Sequence, residues 1–164
     1  MRYFLDCEFD GFGGPLLSLA LVPDDNSEEY YAILEHERPC TDWVERHVVP
    51  YLGTVPQHLR AEPQSAADVA RELSRWLTPF EEVEIVADWP DDIAYFCKAL
   101  LTGNGQMVTV PALTFRLMNL AGFSTARNSA VPHNALHDAR ALRDHVIVQG
   151  DRFHDLIAAL RPTG

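Results

Sequence analysis

Acidic residues are concentrated in three short segments of the chain, and each segment offers side chains that can bind cations or move protons. The first contains Asp6 and Glu8, the second is Asp88-Trp89-Pro90-Asp91-Asp92, and the third runs from Pro132 to Arg140. Carboxylate oxygens are the ligands that hard divalent cations prefer. An imidazole with an ordinary pKa near 6.5 is suited to proton transfer. Together, Asp6, Glu8, Asp92 and Asp138 offer four acids for two such cations, and His133 offers one base.

Asp6 and Glu8 lie two residues apart in a segment, residues 2–9, that is otherwise mostly aromatic and apolar. On a β-strand, residues two apart project from the same face. Two solvated acids at a strand edge are the simplest alternative. Because burying an unpaired acidic pair in an apolar strand is costly, we expect a cation between the two carboxylates.

The second segment follows a buried strand predicted at residues 83–87 and begins a helix. Capping of the N-terminus of that helix would account for all three aspartates of the segment, Asp88, Asp91 and Asp92. Helical phase separates them, since Asp91 shares a stripe with Lys98 and Asp92 lies in line with Phe96. Asp92 is therefore predicted to point inward, at the strand end where sheets of this kind present ligands.

The third segment begins a long helix near Asn134. Asp138 lies on the flank of its apolar stripe, while His137 is expected on the outer face as a solvated histidine. His133 precedes the helix in a loop, where it is a candidate general base. A surface loop histidine is the alternative for His133.

These residues must be positioned by a fold that mixes strands and helices. Strands are predicted at residues 2–9, 16–22, 30–34, 83–87 and 107–110, and helices at 41–52, 65–77, 91–101, 115–120 and from 134 onward with a break at Gly150. Three strands followed by alternating helices and strands favour an α/β fold, a mixed sheet with helices on both faces. The length of 164 residues indicates one domain, residues 1–164.

The chain is acidic, with 13 basic and 24 acidic residues and a formal net charge of −11. Affinity for long nucleic acids comes mostly from Lys and Arg, so the charge excludes a protein that coats them. A polyanionic substrate would be met by a few arginines and by bound divalent cations. Arg127 and Arg140 are candidates for phosphate contacts, with surface ion pairs as the alternative.

Cysteine usage and hydropathy predict a cytoplasmic protein without a membrane partner. The three cysteines, Cys7, Cys40 and Cys97, form an odd set without a CxxC pair, which is typical of a reducing compartment. The first acids interrupt the N-terminal apolar run too early for a signal peptide. No apolar run approaches the length of a membrane-spanning helix.

Three motifs resemble those of the DEDDh 3′-to-5′ exonucleases, a superfamily that includes ribonuclease T, oligoribonuclease and polymerase proofreading domains. They are Phe4-Leu5-Asp6-Cys7-Glu8-Phe9, Asp92-Ile93-Ala94-Tyr95-Phe96, and His133 five residues before Asp138. The Phe-Asp-Gly-Phe-Gly-Gly passage at residues 9–14 resembles a small bacterial exoribonuclease subgroup. Two features depart from the family: Asp88 stands where many relatives carry asparagine, and the first motif lacks the usual Thr-Thr-Gly.

The resemblance implies a ribonuclease H-like fold with a five-stranded mixed sheet and two Mg²⁺ or Mn²⁺ ions. It implies that Asp6 bridges the ions, that Glu8 and Asp138 complete one site, and that Asp92 supports the other. His133 would take the proton of the attacking water, and a 5′-nucleoside monophosphate would leave from a 3′ end.

Further residues are expected to contact the substrate. Phe9 and Phe12 are placed to stack on the terminal base, with a role in the core as the alternative. Asp88 and Arg127 complete the expected substrate contacts. RNA 3′ ends are favoured over DNA, although no motif identifies contacts to the 2′-hydroxyl, and the resemblance implies a homodimer.

Three other functions stay open. A DNA exonuclease would use the same site. A non-catalytic domain that binds nucleic-acid ends would not need all five site residues. An HD-type phosphohydrolase is suggested by the His137-Asp138 pair, but it needs further histidine ligands, and His145 and His154 are poorly placed for that role.

Overall fold

The strand that carries the first two acids, β1 (Arg2–Phe9), lies at the centre of a five-stranded mixed sheet. The computed structural model describes residues 1–103 and 105–160, and the backbone alone for 151–160. The other strands of this sheet are β2 (Leu16–Pro23), β3 (Tyr30–Ile33), β4 (Glu82–Ala87) and β7 (Ala112–Leu117), in the order β3-β2-β1-β4-β7. Strands β1 to β3 are antiparallel neighbours, whereas β4 runs parallel to both β1 and β7. The chain therefore has the predicted α/β architecture, which is compatible with a ribonuclease H-like fold.

Five α-helices accompany the sheet in the described part of the chain. They are α1 (Asp42–His47), α2 (Ala66–Leu77), α3 (Pro90–Ala99), α4 (Thr125–Asn128) and α5 (Ala135–Leu160). The Ser65 hydroxyl caps α2 by accepting from the Asp68 N–H at 3.2 Å. Pro90 begins α3, where its missing N–H costs nothing. The Asn134 side chain accepts from the His137 N–H at 3.3 Å and so begins α5 at the predicted residue.

Helices cover both faces of the sheet, as predicted. Side chains that alternate along β1, such as Tyr3 and Leu5, share a buried cluster with residues of α2 and α3. On the opposite face, Ala20 of β2 lies in a second cluster with residues of α1 and α5. Among the described residues, no helix combines the length and apolar character needed to cross a membrane.

The identity of the fifth strand differs from the prediction. The sequence predicts a helix at residues 115–120, but residues 115–117 belong instead to β7, which pairs with β4 from Glu82↔Ala112 to Ala87↔Leu117. The strand predicted at 107–110 is replaced by a small hairpin of β5 (Leu101–Gly103) and β6 (Gln106–Met107) outside the main sheet. The open edge of β4 provides partners for the backbone of residues 112–117, and this tertiary pairing outweighs a weak helical spacing.

Three helix boundaries also differ. The helix predicted at 41–52 ends at His47, and a short 3₁₀ turn, Val49–Tyr51, follows at Pro50. Helix α3 ends at Ala99 because the chain turns there into β5. The break predicted at Gly150 is wrong, since α5 continues to Leu160. One glycine costs a helix only about 0.5–1 kcal/mol relative to alanine.

Candidate active site

The three acidic segments meet in one cavity of about 320 Å³ at the ends of β1 and β4. Five elements or their flanking loops contribute to its wall, which is lined by Asp6, Cys7, Glu8, Phe9, Asp88, Trp89, Asp92, Thr125 and His133. Asp138 adjoins the cavity through Glu8 and His133. The fold thus assembles all five residues that the sequence proposed for chemistry.

Two groups of possible metal ligands lie within this cavity. One oxygen each of Glu8 and Asp138 and one ring nitrogen of His133 lie within 4.8 Å of one another. The carboxylates of Asp6, Asp88 and Asp92 form a second such group. Asp88, expected as a substrate contact, is therefore also positioned as a ligand.

The neighbouring strand leaves room for these carboxylates. Asp6 lies opposite Ala20 of β2, and Glu8 lies opposite Ser18. Both partners are small and fully buried. Helix α5 packs directly on β1 and β2, which brings Asp138 to the same face as the two strand acids.

Asp92 and Asp91 are separated as helical phase predicts. Asp92 is only 3% exposed and lies in the second ligand group. The thiol of Cys7 donates to the backbone oxygen of Asp92 at 3.7 Å, which ties the start of α3 to β1. The Asp91 carboxylate instead accepts from the Trp89 indole N–H at 2.9 Å, outside both groups.

His133 has an unusual backbone conformation next to Asp138. Its φ is +64°, in the left-handed region that residues other than glycine seldom adopt. Its backbone N–H donates to Asp138 Oδ2 at 3.1 Å. Its ring lies edge-on to the ring of Trp43, with centroids 4.9 Å apart.

Burial and mutual repulsion disfavour negative charge on the clustered carboxyls. Burial raises the pKa of Asp6 well above its usual range, and the charges of Asp92 and Glu8 raise it further. Burial is also the main cause of the raised pKa values of Glu8, Asp92 and Asp138. A cation in the cavity would stabilise the ionised carboxylates and reverse these shifts.

The surroundings of the Asp138 carboxylate indicate whether these residues suit a metal ion. Asp138 is 3% exposed, and its buried Oδ1 has no hydrogen-bond partner among the described residues. Buried carboxylate oxygens without partners are costly, so such an atom calls for a ligand. The donors around it are mostly carboxylate oxygens, which fit a hard cation such as Mg²⁺ or Mn²⁺.

The two candidate aromatic residues differ in their surroundings. Phe9 lines the cavity, packs against the core and stacks on Tyr95, with ring centroids 4.6 Å apart. Phe12 is 86% exposed, so the alternative of a core role is wrong for this residue. It lies between Gly11 and Gly13, whose positive φ values shape the turn that presents it.

The two candidate arginines also differ. Arg140 forms a two-pronged ion pair with Glu29, with contacts of 2.7 and 2.5 Å. The surface ion pair, given as the alternative, is therefore correct for Arg140. Arg127 is exposed on α4, two residues from Thr125 in the cavity wall, and remains the candidate for a phosphate.

His137 is not the solvated histidine that the sequence predicted. It is half-buried, and its Nε2 lies 3.0 Å from the Thr54 backbone oxygen. It belongs to neither described ligand group, and His145 lies against Phe123 instead. The side chain of His154 falls outside the described residues. The ligand set of an HD-type site is not assembled in the described part of the chain.

Sequence reasoning missed two tryptophans and Thr125. Trp89 lines the cavity from within the second acidic segment, so its position beside Asp88 was a usable signal. Trp43 lies on α1, distant in sequence from every acidic segment, and only the tertiary fold brings it to His133.

No protein-family model matches the chain, and a search of curated proteins found no match.

Proposed function

We propose that this chain is a two-metal-dependent 3′-to-5′ exoribonuclease of the DEDDh type, which releases 5′-nucleoside monophosphates from RNA 3′ ends. The observation that carries the proposal is the convergence of Asp6, Glu8, Asp92, Asp138 and His133 at one cavity. Their motif spacing and the mixed five-stranded sheet support the same conclusion.

The carboxylates would hold the metal ions. Glu8 and Asp138 belong to one ligand group, and Asp6, Asp88 and Asp92 form the other. When bound, a pair of divalent ions stabilises both the attacking and the leaving oxygen of a phosphodiester displacement.

His133 would act as the general base. Burial and the nearby His47 lower its pKa, so the imidazole is neutral at neutral pH and a ring nitrogen is free to accept a proton. The bond from its backbone N–H to Asp138 fixes the His133 backbone, and one ring nitrogen of His133 lies within 4.8 Å of oxygens of Glu8 and Asp138. The proton of the attacking water would pass to this nitrogen.

The cavity wall offers stacking surfaces rather than a basic track. Phe9, at the end of β1, and Trp89 line the cavity, and Phe12 is exposed three residues after Phe9. Stacking on such rings holds single-stranded bases with about 1–3 kcal/mol each. With a net charge of −11, the chain is suited to a few 3′-terminal nucleotides rather than a long strand. A cytoplasmic homodimer completes the proposal.

Release of labelled mononucleotides tests the proposal. Matched single-stranded RNA and DNA oligonucleotides, labelled at the 3′-terminal nucleotide, would be incubated with Mn²⁺, with Mg²⁺ or with EDTA. We expect metal-dependent release of 5′-monophosphates, faster from RNA, and none from the Asp6→Ala variant. Faster release from DNA would favour the deoxyribonuclease, and binding of oligonucleotide ends without release would favour a non-catalytic domain.

A further inference from the structure

Trp43 is a half-exposed tryptophan whose ring contacts are with histidines. Its ring centroid is 4.9 Å from that of His133, with the ring planes at 81°, and 4.9 Å from that of His47. The side chain is 49% exposed. Its place is therefore beside the candidate base rather than in the hydrophobic core.

His133 depends on its surroundings for its conformation. A residue other than glycine at φ +64° is strained and keeps that conformation only where neighbours fix it. The bond from its N–H to Asp138 fixes the backbone. That bond does not fix the side-chain torsions of the imidazole, and the Trp43 ring packs edge-on against it.

The helix that carries Trp43 is connected to the elements that carry the metal ligands. Asp10, which follows β1 directly, accepts hydrogen bonds from the Thr41 N–H at 2.8 Å and the Thr41 hydroxyl at 2.7 Å. Thr41 precedes α1, and Val44 of α1 is buried in one cluster with Ala135 of α5. Helix α1 thus connects the strand that carries two of the carboxylates with the helix that carries a third.

We infer that Trp43 is a positioning residue, which holds the His133 imidazole in the orientation from which it accepts the proton of the attacking water. The role of His133 as base rests on the proposed function, whereas the packing of the two rings does not. A misplacement of about 1 Å can cost a reaction about 10²-fold. Trp43→Ala should therefore lower kcat about 10- to 100-fold and leave KM within about 3-fold.

A double-mutant cycle separates positioning from direct contact with the substrate. The values of kcat and KM would be measured with Mn²⁺ and a single-stranded oligoribonucleotide for the wild type, Trp43→Ala, His133→Ala and the double variant. A positioning residue has nothing to position once the imidazole is gone, so the effect of Trp43→Ala should vanish in the His133→Ala background. Trp43→Phe, which keeps an aromatic face, should restore most of the rate.

Trp89 provides the matched control, because it is also 49% exposed and lines the cavity, yet forms no ring pair with His133 in the described part of the chain. The loss caused by Trp89→Ala should persist in the His133→Ala background. If the loss caused by Trp43→Ala also persists there, or appears in KM alone, Trp43 contacts the substrate and the inference is wrong.

The NMR signals of the His133 ring test the packing without any activity. At one fixed pH, Trp43→Ala should shift and broaden the Hδ2 and Hε1 resonances of His133, and Trp43→Phe should largely preserve them. Trp43→Leu fills the volume without an aromatic face and replaces alanine if that variant lowers the folded fraction. Unchanged His133 resonances in both non-aromatic variants would overturn the inference. A wild-type protein that releases no nucleotide would instead refute the proposed function.

Discussion

At the scale of single residues, the site combines conformational strain at His133 with repulsion among buried carboxyls, and a bound cation would relieve the repulsion. His133 has a left-handed backbone, and the carboxyls of Asp6 and Glu8 have raised pKa values beside one another. Strain of this kind persists where the surrounding structure fixes it and concentrates at functional sites. His133 and Asp92 each have a close neighbour in sequence, His137 and Asp91, that lies outside both ligand groups and serves as a control.

His133 and His137 form the first such pair. Loss of a general base typically costs about 10²- to 10⁴-fold in rate, so His133→Ala should lower kcat into that range while metal affinity stays close to wild type. Because burial lowers the pKa of His133, the acidic limb of the wild-type pH–rate profile should have its midpoint below 6.5 and flatten in the variant. Kinetic profiles and titration with Mn²⁺ measure both effects.

His137→Ala is the control, since it removes only the contact with Thr54. It should keep nearly full activity with a slightly lower melting temperature. An essential His137 beside a dispensable His133 would revive the HD-type phosphohydrolase.

Asp92 and Asp91 form the second pair. Asp92→Asn removes the charge of a buried ligand and should abolish most activity, whereas Asp91→Asn removes a charge bonded to Trp89 outside both ligand groups and should change little. Mononucleotide release by the two variants at equal protein concentration is the measurement. Loss of activity in Asp91→Asn but not in Asp92→Asn would mean that Asp91, and not Asp92, binds the metals.

At the scale of elements, the sequence indicated the parts of the fold that are set by local periodicity. The alternation in residues 2–9 placed Asp6 and Glu8 on one face, and helical phase placed Asp92 inward. The sequence did not identify β7, because the pairing of residues 112–117 depends on the edge of β4 rather than on the spacing of these residues. Trp43 was missed for a similar reason, since its contact with His133 depends on how α1 packs against α5.

Two proline substitutions distinguish the observed strand from the predicted helix. The Ala112 N–H donates to the backbone oxygen of Glu81, just before β4, and the Met118 N–H donates to that of Ala87. Alternation therefore places the Thr114 N–H toward β4 and the Leu117 N–H toward the open edge. Thr114→Pro should therefore destabilise the protein by about 1–3 kcal/mol through a lost ladder bond. Leu117→Pro should be tolerated on the outer side. Urea unfolding of the two variants measures this. A helix at residues 115–120 would tolerate both substitutions, since Thr114 would precede it and the Leu117 N–H would lie in its first turn without an intrahelical partner.

At the scale of the whole molecule, the buried acids link stability to pH. Glu8 and Asp92 have pKa values raised to about 8 in the folded chain, from ordinary values of 4.5 and 3.8. Between those values the folded state binds more protons than the unfolded state, so the metal-free protein should lose stability as the pH rises from about 4 to about 8.

Metal binding should counter this loss, because a cation takes the place of the protons. The increase in melting temperature on adding Mn²⁺ should be larger near pH 8 than near pH 5, as measured by thermal unfolding with and without EDTA. Glu8→Gln should make the metal-free protein less sensitive to pH and reduce the benefit of Mn²⁺. If the stability of the metal-free protein rose between about pH 4 and pH 8, the raised pKa values of Glu8 and Asp92 would be contradicted.

The cysteines give the molecule three built-in reporters of local opening. Cys97 is exposed on α3, whereas Cys7 lies buried in β1 between the two strand acids and Cys40 lies buried just before α1. An alkylating reagent added to the folded protein should label Cys97 first and reach the other two only when their surroundings open transiently. Because Mn²⁺ would bind only the closed site, it should slow the labelling of Cys7 and leave that of Cys97 unchanged. Peptide-resolved alkylation would thus time the opening of the central strand separately from that of α1.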